Sequence, residues 1–153
     1  MENKKIIIII LFVSFLLKPL KVIANEDTIF LSLKNNEVNL RKGPSFDYPI
    51  ILTYKKKYLP LIIIDKSETW RKINDFENNT GWIHISQLSK KSSAINIKDN
   101  SIFYKKPTIY SKPIAKLSLG RLVLIKKCKI RWCKIKTGNF NGWILKKNLW
   151  GKT

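Results

Sequence analysis

Apolar positions along the chain occur in short runs that turn residues interrupt. The segments "LPLIIID" and "RLVLIKK" are rich in β-branched residues, and "WRKIN" and "WCKIK" alternate between the two faces of an extended chain. Asn and Gly recur in the segments "DFENNTG" and "TGNFNG", where they favour turns. No apolar rhythm of 3.6 residues is sustained after residue 25. The pattern predicts an all-β fold of short strands, arranged as a small sandwich or barrel.

The same order of segments occurs twice along the chain. Four landmarks recur after 61 to 63 residues, namely Pro44 and Pro107, Trp70 and Trp132, Trp82 and Trp143, and Leu88 and Leu149. A repeat of this length is the size of one very small domain. The segment "SKKSSAINIKDNS", from Ser89 to Ser101, is polar at both ends and predicts the joint between two units. We therefore expect one unit at residues 25–90 and a second at residues 91–153.

Each unit contains two of these tryptophans, and a glycine precedes the second. Alternation in "WRKIN" directs Trp70 to the face opposite Ile73. We expect Trp70 and Trp132 to be partly exposed on the face away from the core. We expect Trp82 and Trp143 to pack inside the unit or against a loop. The glycine would let the backbone approach a neighbour where a Cβ atom would clash.

The first residues have the layout of a secretory signal peptide. Two lysines precede an uncharged, mostly apolar stretch from Ile6 to Leu17, and Val22-Ile23-Ala24 follows with side chains that a signal peptidase accepts. The twelve apolar residues span about 18 Å as a helix, short of the roughly 30 Å hydrocarbon core of a bilayer. We expect a cleaved signal peptide at residues 1–24. The alternative is an uncleaved membrane anchor, which the apolar residues after Pro19 would lengthen.

The charge of the chain is strongly positive. Its 30 Lys and Arg residues against 10 Asp and Glu residues give a formal net charge of +20. Removal of residues 1–24 would leave 26 basic and 9 acidic residues, a net charge of +17. Such a chain is attracted to nucleic acid, anionic lipid or wall polymers, and export argues against nucleic acid. The abundance of Lys, Ile and Asn also fits the coding bias of an AT-rich genome, so charge alone names no ligand.

Two cysteines, Cys128 and Cys133, lie close together in "CKIRWC". An exported chain meets an oxidising compartment, where an even number of cysteines at short spacing indicates a disulfide. Such a pair can face one another across a hairpin turn. A disulfide that closes so short a loop stabilises the folded state by about 2 kcal/mol, because it restricts the unfolded chain. The alternatives are free thiols and a metal site. A metal site would need more ligands, and the only histidine, His84, lies in the other half of the chain.

The blocks "VNLRKGPSFDYPI", "WRKI" and "GWIHISQL" resemble the three signature blocks of the bacterial SH3 domain family, often called SH3b. The first unit matches these blocks at Val38, Asn39, Leu40, Arg41, Gly43, Pro44, Trp70, Lys72, Ile73, Gly81, Trp82 and Leu88. The second unit opens with "IFYKKP", which lacks the glycine, and we place Lys105 where the arginine would stand. Its later blocks match at Trp132, Lys134, Ile135, Gly142, Trp143 and Leu149. The cysteine pair also resembles a two-unit exported subgroup of this family.

The resemblance implies a fold and a set of structural residues. Each unit would be a small, strongly bent SH3-like β-barrel of five or six strands, and the two barrels would follow each other in tandem. The structural motif would consist of Arg41, Gly43, Pro44, Gly81, Trp82, Gly142 and Trp143. Bacterial SH3 units mostly serve as cell-wall or peptide-binding modules, often beside a hydrolase, and this sequence shows no hydrolase segment.

The sequence predicts no catalytic set, no cofactor and no metal site. We interpret His84 as a strand residue, because it directly follows "GWI" and neither cysteine lies near it in sequence. The carboxylates of Asp65, Glu68, Asp75 and Glu77 fall on turns, and their spacing does not require a glycosidase pair. A phosphate-binding glycine loop and a zinc pattern are also missing from the sequence. We therefore expect a binding protein rather than an enzyme.

Aromatic residues near lysines are the candidate ligand contacts. We expect a shallow groove on each barrel, formed by Tyr48, Tyr54 and Trp70 in the first unit and by Tyr104, Tyr110 and Trp132 in the second. Exposed rings stack on sugar faces or hold an extended peptide, while charge attracts an anionic polymer. The expected partner is peptidoglycan or an associated anionic envelope polymer, and the alternative is an extended peptide of another envelope protein. Both place the protein in the periplasm or outside the cell.

Overall fold

The structure is a computed structural model that describes residues 28–153. The predicted signal peptide at residues 1–24 lies outside the described residues. The described chain folds into fourteen β-strands and two single turns of 3-10 helix. The strands are β1 (Ile29–Leu33), β2 (Val38–Arg41), β3 (Ile50–Tyr54), β4 (Pro60–Ser67), β5 (Trp70–Asn74), β6 (Thr80–His84), β7 (Leu88–Ser89), β8 (Ser93–Asn96), β9 (Ser101–Tyr104), β10 (Pro113–Leu117), β11 (Leu122–Cys128), β12 (Trp132–Thr137), β13 (Phe140–Leu145) and β14 (Leu149–Gly151). The 3-10 turns are Ile85–Gln87 and Lys146–Asn148.

The strands form two antiparallel sheets with the same order of strands. The first sheet has the order β3-β2-β6-β5-β4-β1-β7, and the second has the order β10-β9-β13-β12-β11-β8-β14. Strands that are seven apart in number take the same place in the two sheets, as β3 and β10 do, so one topology occurs twice. The prediction of an all-β fold with two SH3-like units is confirmed. Each sheet has seven strands rather than five or six, because a leading strand (β1 or β8) pairs with a short closing strand (β7 or β14).

The segment that was expected to be the joint contains a buried strand. Strand β8 covers Ser93–Asn96 and pairs with β11 and β14, and all four of its residues are buried. The Nδ2 atom of Asn96 lies within hydrogen-bond distance of the carbonyl oxygens of Lys98, Leu117 and Ser118, at 2.7, 3.1 and 2.8 Å. The Asn96 side chain therefore bonds to the backbone of the second unit. The prediction of a linker was wrong for Ser93–Asn96.

Each sheet encloses its own hydrophobic core. The core of the first unit contains Leu33, Val38, Leu40, Tyr54, Leu61, Ile73, Ile83 and Leu88. The core of the second unit contains Ala94, Phe103, Leu117, Val123, Cys133, Ile135, Ile144 and Leu149. Ile73 and Ile135 are completely buried, as the strand alternation predicts.

The glycine in front of each second tryptophan allows close contact between strands. A Cβ atom at Gly81 would lie 2.7 Å from Leu40 Cγ and 2.8 Å from the Arg41 carbonyl oxygen. A Cβ atom at Gly142 would lie 2.5 Å from Phe103 Cδ2. These separations are shorter than van der Waals contact allows, so a side chain at either position would push neighbouring atoms away. Glycine therefore lets β6 and β13 approach their neighbours.

A disulfide joins the two cysteines across the β11–β12 hairpin. Cys128 and Cys133 face each other in the strand register, and their Cα atoms are 4.0 Å apart. The described chain contains no free cysteine. The predicted pairing is confirmed. The bond closes the base of a short tip, Lys129-Ile130-Arg131.

Aromatic contacts connect the two units. Trp150, in β14, lies edge-on to Phe30 of β1 and to Phe76, with ring centroids 5.3 and 5.8 Å apart. Phe76 belongs to the turn between β5 and β6, so Trp150 contacts two separate parts of the first unit. The repeat pattern gives no signal for Trp150, since this residue lies beyond the last repeated landmark.

Candidate ligand-binding site

The first unit has a cavity on the outer face of its sheet. The cavity has a volume of about 200 Å³ and is lined by Glu37, Val38, Asn39, Arg41, Phe46, Trp70, His84 and Gln87. Strands β2, β5 and β6 carry most of these residues, and the loop between β2 and β3 brings Phe46 over them. The site therefore combines a fixed sheet surface with two exposed residues outside the strands, Phe46 and Glu37.

Three aromatic rings form one wall of the cavity. Trp70 and His84 face each other in the register of β5 and β6, and their ring centroids are 5.3 Å apart. The Phe46 ring lies 4.9 Å from Trp70 and 5.5 Å from His84. The expectation of a partly exposed Trp70 was wrong, because Phe46 and His84 pack against its ring and it is only 7% exposed. Phe46 is 67% exposed and is the ring that a ligand would meet first.

Arg41 holds the loop that carries Phe46. Its Nη1 donates hydrogen bonds to the carbonyl oxygens of Phe46, at 2.9 Å, and of Tyr48, at 2.7 Å. The guanidinium carbon lies 5.6 Å from the centroid of the Phe46 ring. Tyr48 packs over Gly43, where a Cβ atom would lie 2.6 Å from the ring carbons. Arg41 and Gly43 therefore shape the loop, and Pro44 restricts the backbone where the turn begins.

Polar groups surround the aromatic wall. His84 Nδ1 accepts a hydrogen bond from the Ser86 backbone N–H at 3.3 Å and lies 2.8 Å from Ser86 Oγ. With Nδ1 as an acceptor, Nε2 is the donor of the neutral ring. Glu37 supplies a carboxylate and Gln87 an amide. The cavity thus offers an exposed aromatic ring, that of Phe46, with donors and acceptors beside it, which suits a sugar ring or a peptide backbone.

Tyr54, a predicted groove residue, lies in the core instead. It is 7% exposed, and its hydroxyl donates a hydrogen bond to Asp75 Oδ2 at 2.9 Å. Burial and the neighbouring Asp75 raise the pKa of Tyr54 above its ordinary value. Asp75 also accepts hydrogen bonds from the backbone N–H groups of Glu77 and Asn79, so it organises the β5–β6 turn. Tyr54 points inward because it pairs with the buried Val38 across β2 and β3.

The second unit does not reproduce the arginine-held loop. Tyr104 faces Trp143 in the strand register as Arg41 faces Trp82 in the first unit. Tyr104, and not Lys105, therefore stands at the arginine position, and the sequence assignment was wrong. A count of three residues back from the proline of each block gives the same result. The guanidinium that holds the loop of the first unit has no counterpart at this position.

Trp132 keeps an aromatic neighbour but has an aliphatic residue opposite it. Its ring centroid lies 5.7 Å from that of Tyr104, at an interplanar angle of 82°. Leu145 faces Trp132 in the register of β12 and β13, where the first unit has His84. Tyr110 is 92% exposed. Of the three residues predicted for this groove, the structure brings Tyr104 and Trp132 together and leaves Tyr110 at the surface.

Phe46 was not among the predicted site residues, and His84 was predicted to be a strand residue with no role in a binding site. A signal for His84 exists, because counting the antiparallel register back from the β5–β6 turn places it opposite Trp70. Phe46 has no such signal, since its position depends on hydrogen bonds from the Arg41 side chain to the loop. The polar residues Glu37 and Gln87 were missed because each lies just outside a strand, where strand alternation makes no prediction.

The charged groups at the cavity are the guanidinium of Arg41 and the carboxylate of Glu37. Among the described residues, no three His, Cys, Asp or Glu side chains are grouped so that they could hold a metal ion. Within residues 28–153, the structure has no helix with the length and apolar character of a membrane span.

Comparison with known families identifies the repeated unit. The family model of the bacterial SH3 domain matches residues 34–90 and residues 98–151, which together are more than half of the chain. The chain belongs to the bacterial SH3 domain family. Each of the two bacterial SH3 matches falls on one of the two sheets, and the resemblance found in the sequence is confirmed.

Two solved structures resemble this bacterial SH3 chain. NlpC2 from Trichomonas vaginalis is 15% identical, and the match covers 84% of this chain and 50% of that chain at a TM-score of 0.38. NlpC1 from Trichomonas vaginalis is 14% identical, and the match covers 82% of this chain and 46% of that chain at a TM-score of 0.37. The chain therefore spans about half the length of these two structures. No curated protein sequence matches it.

Proposed function

We propose that the chain is an exported, non-enzymatic binding protein that attaches to cell-wall peptidoglycan or to an associated anionic envelope polymer. Bacterial SH3 domains are typically binding modules, and two of them make up most of this chain. The observation that carries the proposal is the cavity of the first unit, where Phe46, Trp70 and His84 form an aromatic wall beside Arg41.

Peptidoglycan has chemical groups that complement this cavity. Its sugar rings have apolar faces that stack on aromatic side chains. Its stem peptides carry amide, carboxylate and amino groups, for which Arg41 and the His84 Nε2–H are donors and Glu37 is an acceptor. The cavity of about 200 Å³ is smaller than the roughly 300 Å³ and above of pockets for drug-sized ligands. It therefore fits one sugar or a short peptide segment.

The proposal includes export and two separate units. Residues 1–24 would be removed as a signal peptide, and the units would occupy residues 25–90 and 91–153. The Cys128–Cys133 disulfide supports a location in the periplasm or outside the cell, because disulfides persist in oxidising compartments. The net charge of +17 after cleavage favours contact with an anionic envelope.

A second candidate function is the binding of an extended peptide from another envelope protein. Strand β3 stands at one end of the strand order in the first sheet, and its Ile50 and Ile51 are 47% and 51% exposed. An added strand would pair with the outer edge of β3 and cover these side chains. This binding mode uses the edge strand rather than the aromatic cavity, so the two candidate functions depend on different residues.

Sedimentation of the purified chain with cell-wall sacculi at rising salt tests the wall-binding proposal. Phe46→Ala and His84→Ala each remove part of the aromatic wall, and Phe140→Ala, at a 55% exposed position of the second unit, is the matched control. We expect each wall variant to bind about tenfold more weakly and the control to bind like the parent chain. Absence of pelleting at low salt would refute the proposal. If binding is insensitive to both wall variants and is lost at moderate salt, the interaction is non-specific charge attraction and the cavity is not the binding site.

Separate measurements test the alternatives. A photo-crosslinker at Ile50 should capture one protein partner in cells if β3 binds a peptide, and Ile51→Lys should then abolish that product. A zymogram with murein should show no clearing band from the pure chain if it is not a hydrolase. An N-terminus at Asn25 in the envelope fraction would support cleavage, and one at Met1 would contradict it.

A further inference from the structure

The tip of the disulfide-bonded hairpin exposes an apolar side chain between two cations. Ile130 is 96% exposed at the centre of Lys129-Ile130-Arg131. The disulfide closes the base of this tip, and the backbone N–H of Lys129 donates to the Trp132 carbonyl oxygen at 2.7 Å. A tip that is held in this way loses little conformational freedom when it binds. The exposed Ile130 is therefore presented in a fixed position.

Further basic residues lie around this tip. The Nζ atoms of Lys127 and Lys129 are 5.9 and 5.6 Å from the centroid of the Trp143 ring. A hollow of about 300 Å³ beside the tip is lined by Ile130, Arg131, Leu145, Lys146 and Lys147. All five cations are exposed. We call this group of five cations and two aliphatic residues the basic tip. Its members are Lys127, Lys129, Ile130, Arg131, Leu145, Lys146 and Lys147.

The first unit shows that the fold does not require this composition. The equivalent turn, between β4 and β5, carries Glu68. Lys127 stands in the register position of Asp65, since each pairs with the lysine two residues after the first tryptophan of its unit. Leu145 stands in the position of His84. At these positions the first unit has acidic and polar residues, next to the basic Lys66 and Arg71, whereas the second unit has basic and aliphatic residues.

Charge is distributed unequally between the two units. The chain has sixteen basic residues and one acidic residue, Asp99, from Lys91 to Thr153. It has ten basic and six acidic residues from Thr28 to Lys90. A coding bias toward lysine would raise the basic count in both units, but it does not account for the scarcity of acidic residues in the second. The second unit therefore has a predominantly positive surface, to which the basic tip belongs.

We propose that the basic tip docks the second unit on an anionic lipid surface, with Ile130 in the layer between headgroups and acyl chains. Lys129 and Arg131 flank Ile130 and pair with lipid phosphates there. A hydrated wall polymer or a nucleic acid offers anionic groups but no apolar layer for an exposed isoleucine, so the combination favours a membrane. This docking is separate from the proposed wall binding, which uses the cavity of the first unit.

Cosedimentation with vesicles tests the charged part of the proposal. The probe is phosphatidylcholine vesicles with rising fractions of phosphatidylglycerol, and the chain is Asn25–Thr153, which contains all fourteen described strands. Lys129→Gln combined with Arg131→Gln should lower vesicle binding roughly 25-fold, at about fivefold per cation. Lys116→Gln combined with Lys136→Gln removes the same charge from exposed positions elsewhere in the second unit and should lower binding much less. Equal losses for the two double variants would overturn docking at the basic tip. They would show that the vesicles attract the positive charge of the whole unit instead.

Two serine variants test the apolar part. Ile130→Ser should lower vesicle binding about tenfold. Leu119→Ser, at a 57% exposed position beyond the other end of β11, should leave vesicle binding unchanged. Unchanged vesicle binding by Ile130→Ser would overturn the proposal.

Two other ligands distinguish this proposal from the alternatives. Sacculus binding should be the same for Ile130→Ser and the parent chain, so failure of lipid docking and failure of wall binding are measured separately. A DNA duplex should compete poorly with the vesicles. Tight DNA binding that depends on Lys129 and Arg131, in a chain that does not bind the vesicles, would assign the basic tip to nucleic acid and overturn the proposal.

Discussion

Trp70 and His84 face each other across the β5–β6 hairpin, with ring centroids 5.3 Å apart and an interplanar angle of 75°. The pair lies on the outer face of the sheet, while Ile73 and Ile83 of the same hairpin are completely buried. One hairpin therefore builds the core with one face and a wall of the candidate site with the other. In the second unit Leu145 takes the place of the histidine. The residue opposite the first tryptophan therefore makes this face polar in the first unit, through His84, and aliphatic in the second, through Leu145.

We predict that His84→Leu weakens binding to peptidoglycan fragments about fivefold, because it removes one hydrogen-bond donor from the rim of the cavity. Leucine still packs against Trp70 and Phe46 and loses only the exposed hydrogen bonds with Ser86, so the melting temperature should fall only slightly. Calorimetric titration with soluble peptidoglycan fragments measures the affinity, and thermal unfolding measures the stability. His84→Gln, which keeps a side-chain donor, is the control and should bind more tightly than His84→Leu. Equal affinity of all three chains would show that the histidine makes no hydrogen bond to the ligand.

We predict that Gly81→Ala lowers the free energy of unfolding by about 2 kcal/mol, because the added Cβ overpacks the contact between β6 and β2. The atoms that it meets, Leu40 Cγ and the Arg41 carbonyl oxygen, include backbone that is held in the sheet. Urea unfolding measures the loss. Thr80→Ala, at the exposed neighbouring position, should leave the midpoint nearly unchanged. A Gly81→Ala chain as stable as the parent would mean that β2 moves aside without cost.

Local sequence patterns are sufficient for the strands, the repeat and the disulfide. Two-residue alternation fixes which face of β5 carries Ile73, because neighbouring side chains of a strand point to opposite sides. The spacing of Cys128 and Cys133 is matched to a hairpin, and the structure pairs them across one. The strands and the disulfide depend on residues that are close in sequence, and the repeat is visible when two such local segments are compared.

The candidate site depends on contacts that the sequence pattern does not contain. Alternation places Trp70 on the outer face, but its burial depends on Phe46, which reaches it through a loop held by Arg41. Tyr54 was assigned to a groove from its aromatic character, whereas its direction follows from the register of β3 against β2. Asn96 is polar and yet completely buried, because three backbone carbonyl groups converge on its amide. Each of these outcomes is set by tertiary contacts.

We predict that Tyr54→Phe lowers the free energy of unfolding at neutral pH by about 1 kcal/mol, because it removes the hydrogen bond to Asp75. Burial, and then Asp75, raise the pKa of Tyr54 in the folded chain from its ordinary value of 10.0. The unfolded chain therefore loses the phenolic proton first as the pH rises. The stabilisation by the hydroxyl is complete below pH 10.0 and declines above it.

Urea unfolding at a series of pH values measures this effect. The difference in unfolding free energy between the parent chain and Tyr54→Phe should be constant on the neutral side of pH 10.0 and should shrink above it. Tyr110→Phe, at a 92% exposed position, is the matched control and should be as stable as the parent chain at neutral pH. A difference that grows above pH 10.0 would contradict a raised pKa of Tyr54.

We predict that Trp150 couples the unfolding of the two units. Its ring contacts Phe30 and Phe76 of the first unit from β14 of the second, while each unit keeps a separate core. Trp150→Ala removes both aromatic contacts and should lower the free energy of unfolding by about 2 kcal/mol. Differential scanning calorimetry should then show two transitions instead of one, because each core can melt without the other. Phe140→Ala removes an exposed ring of the second unit and should keep a single transition. A single, unshifted transition in Trp150→Ala would mean that the contacts of this ring contribute nothing to the coupling.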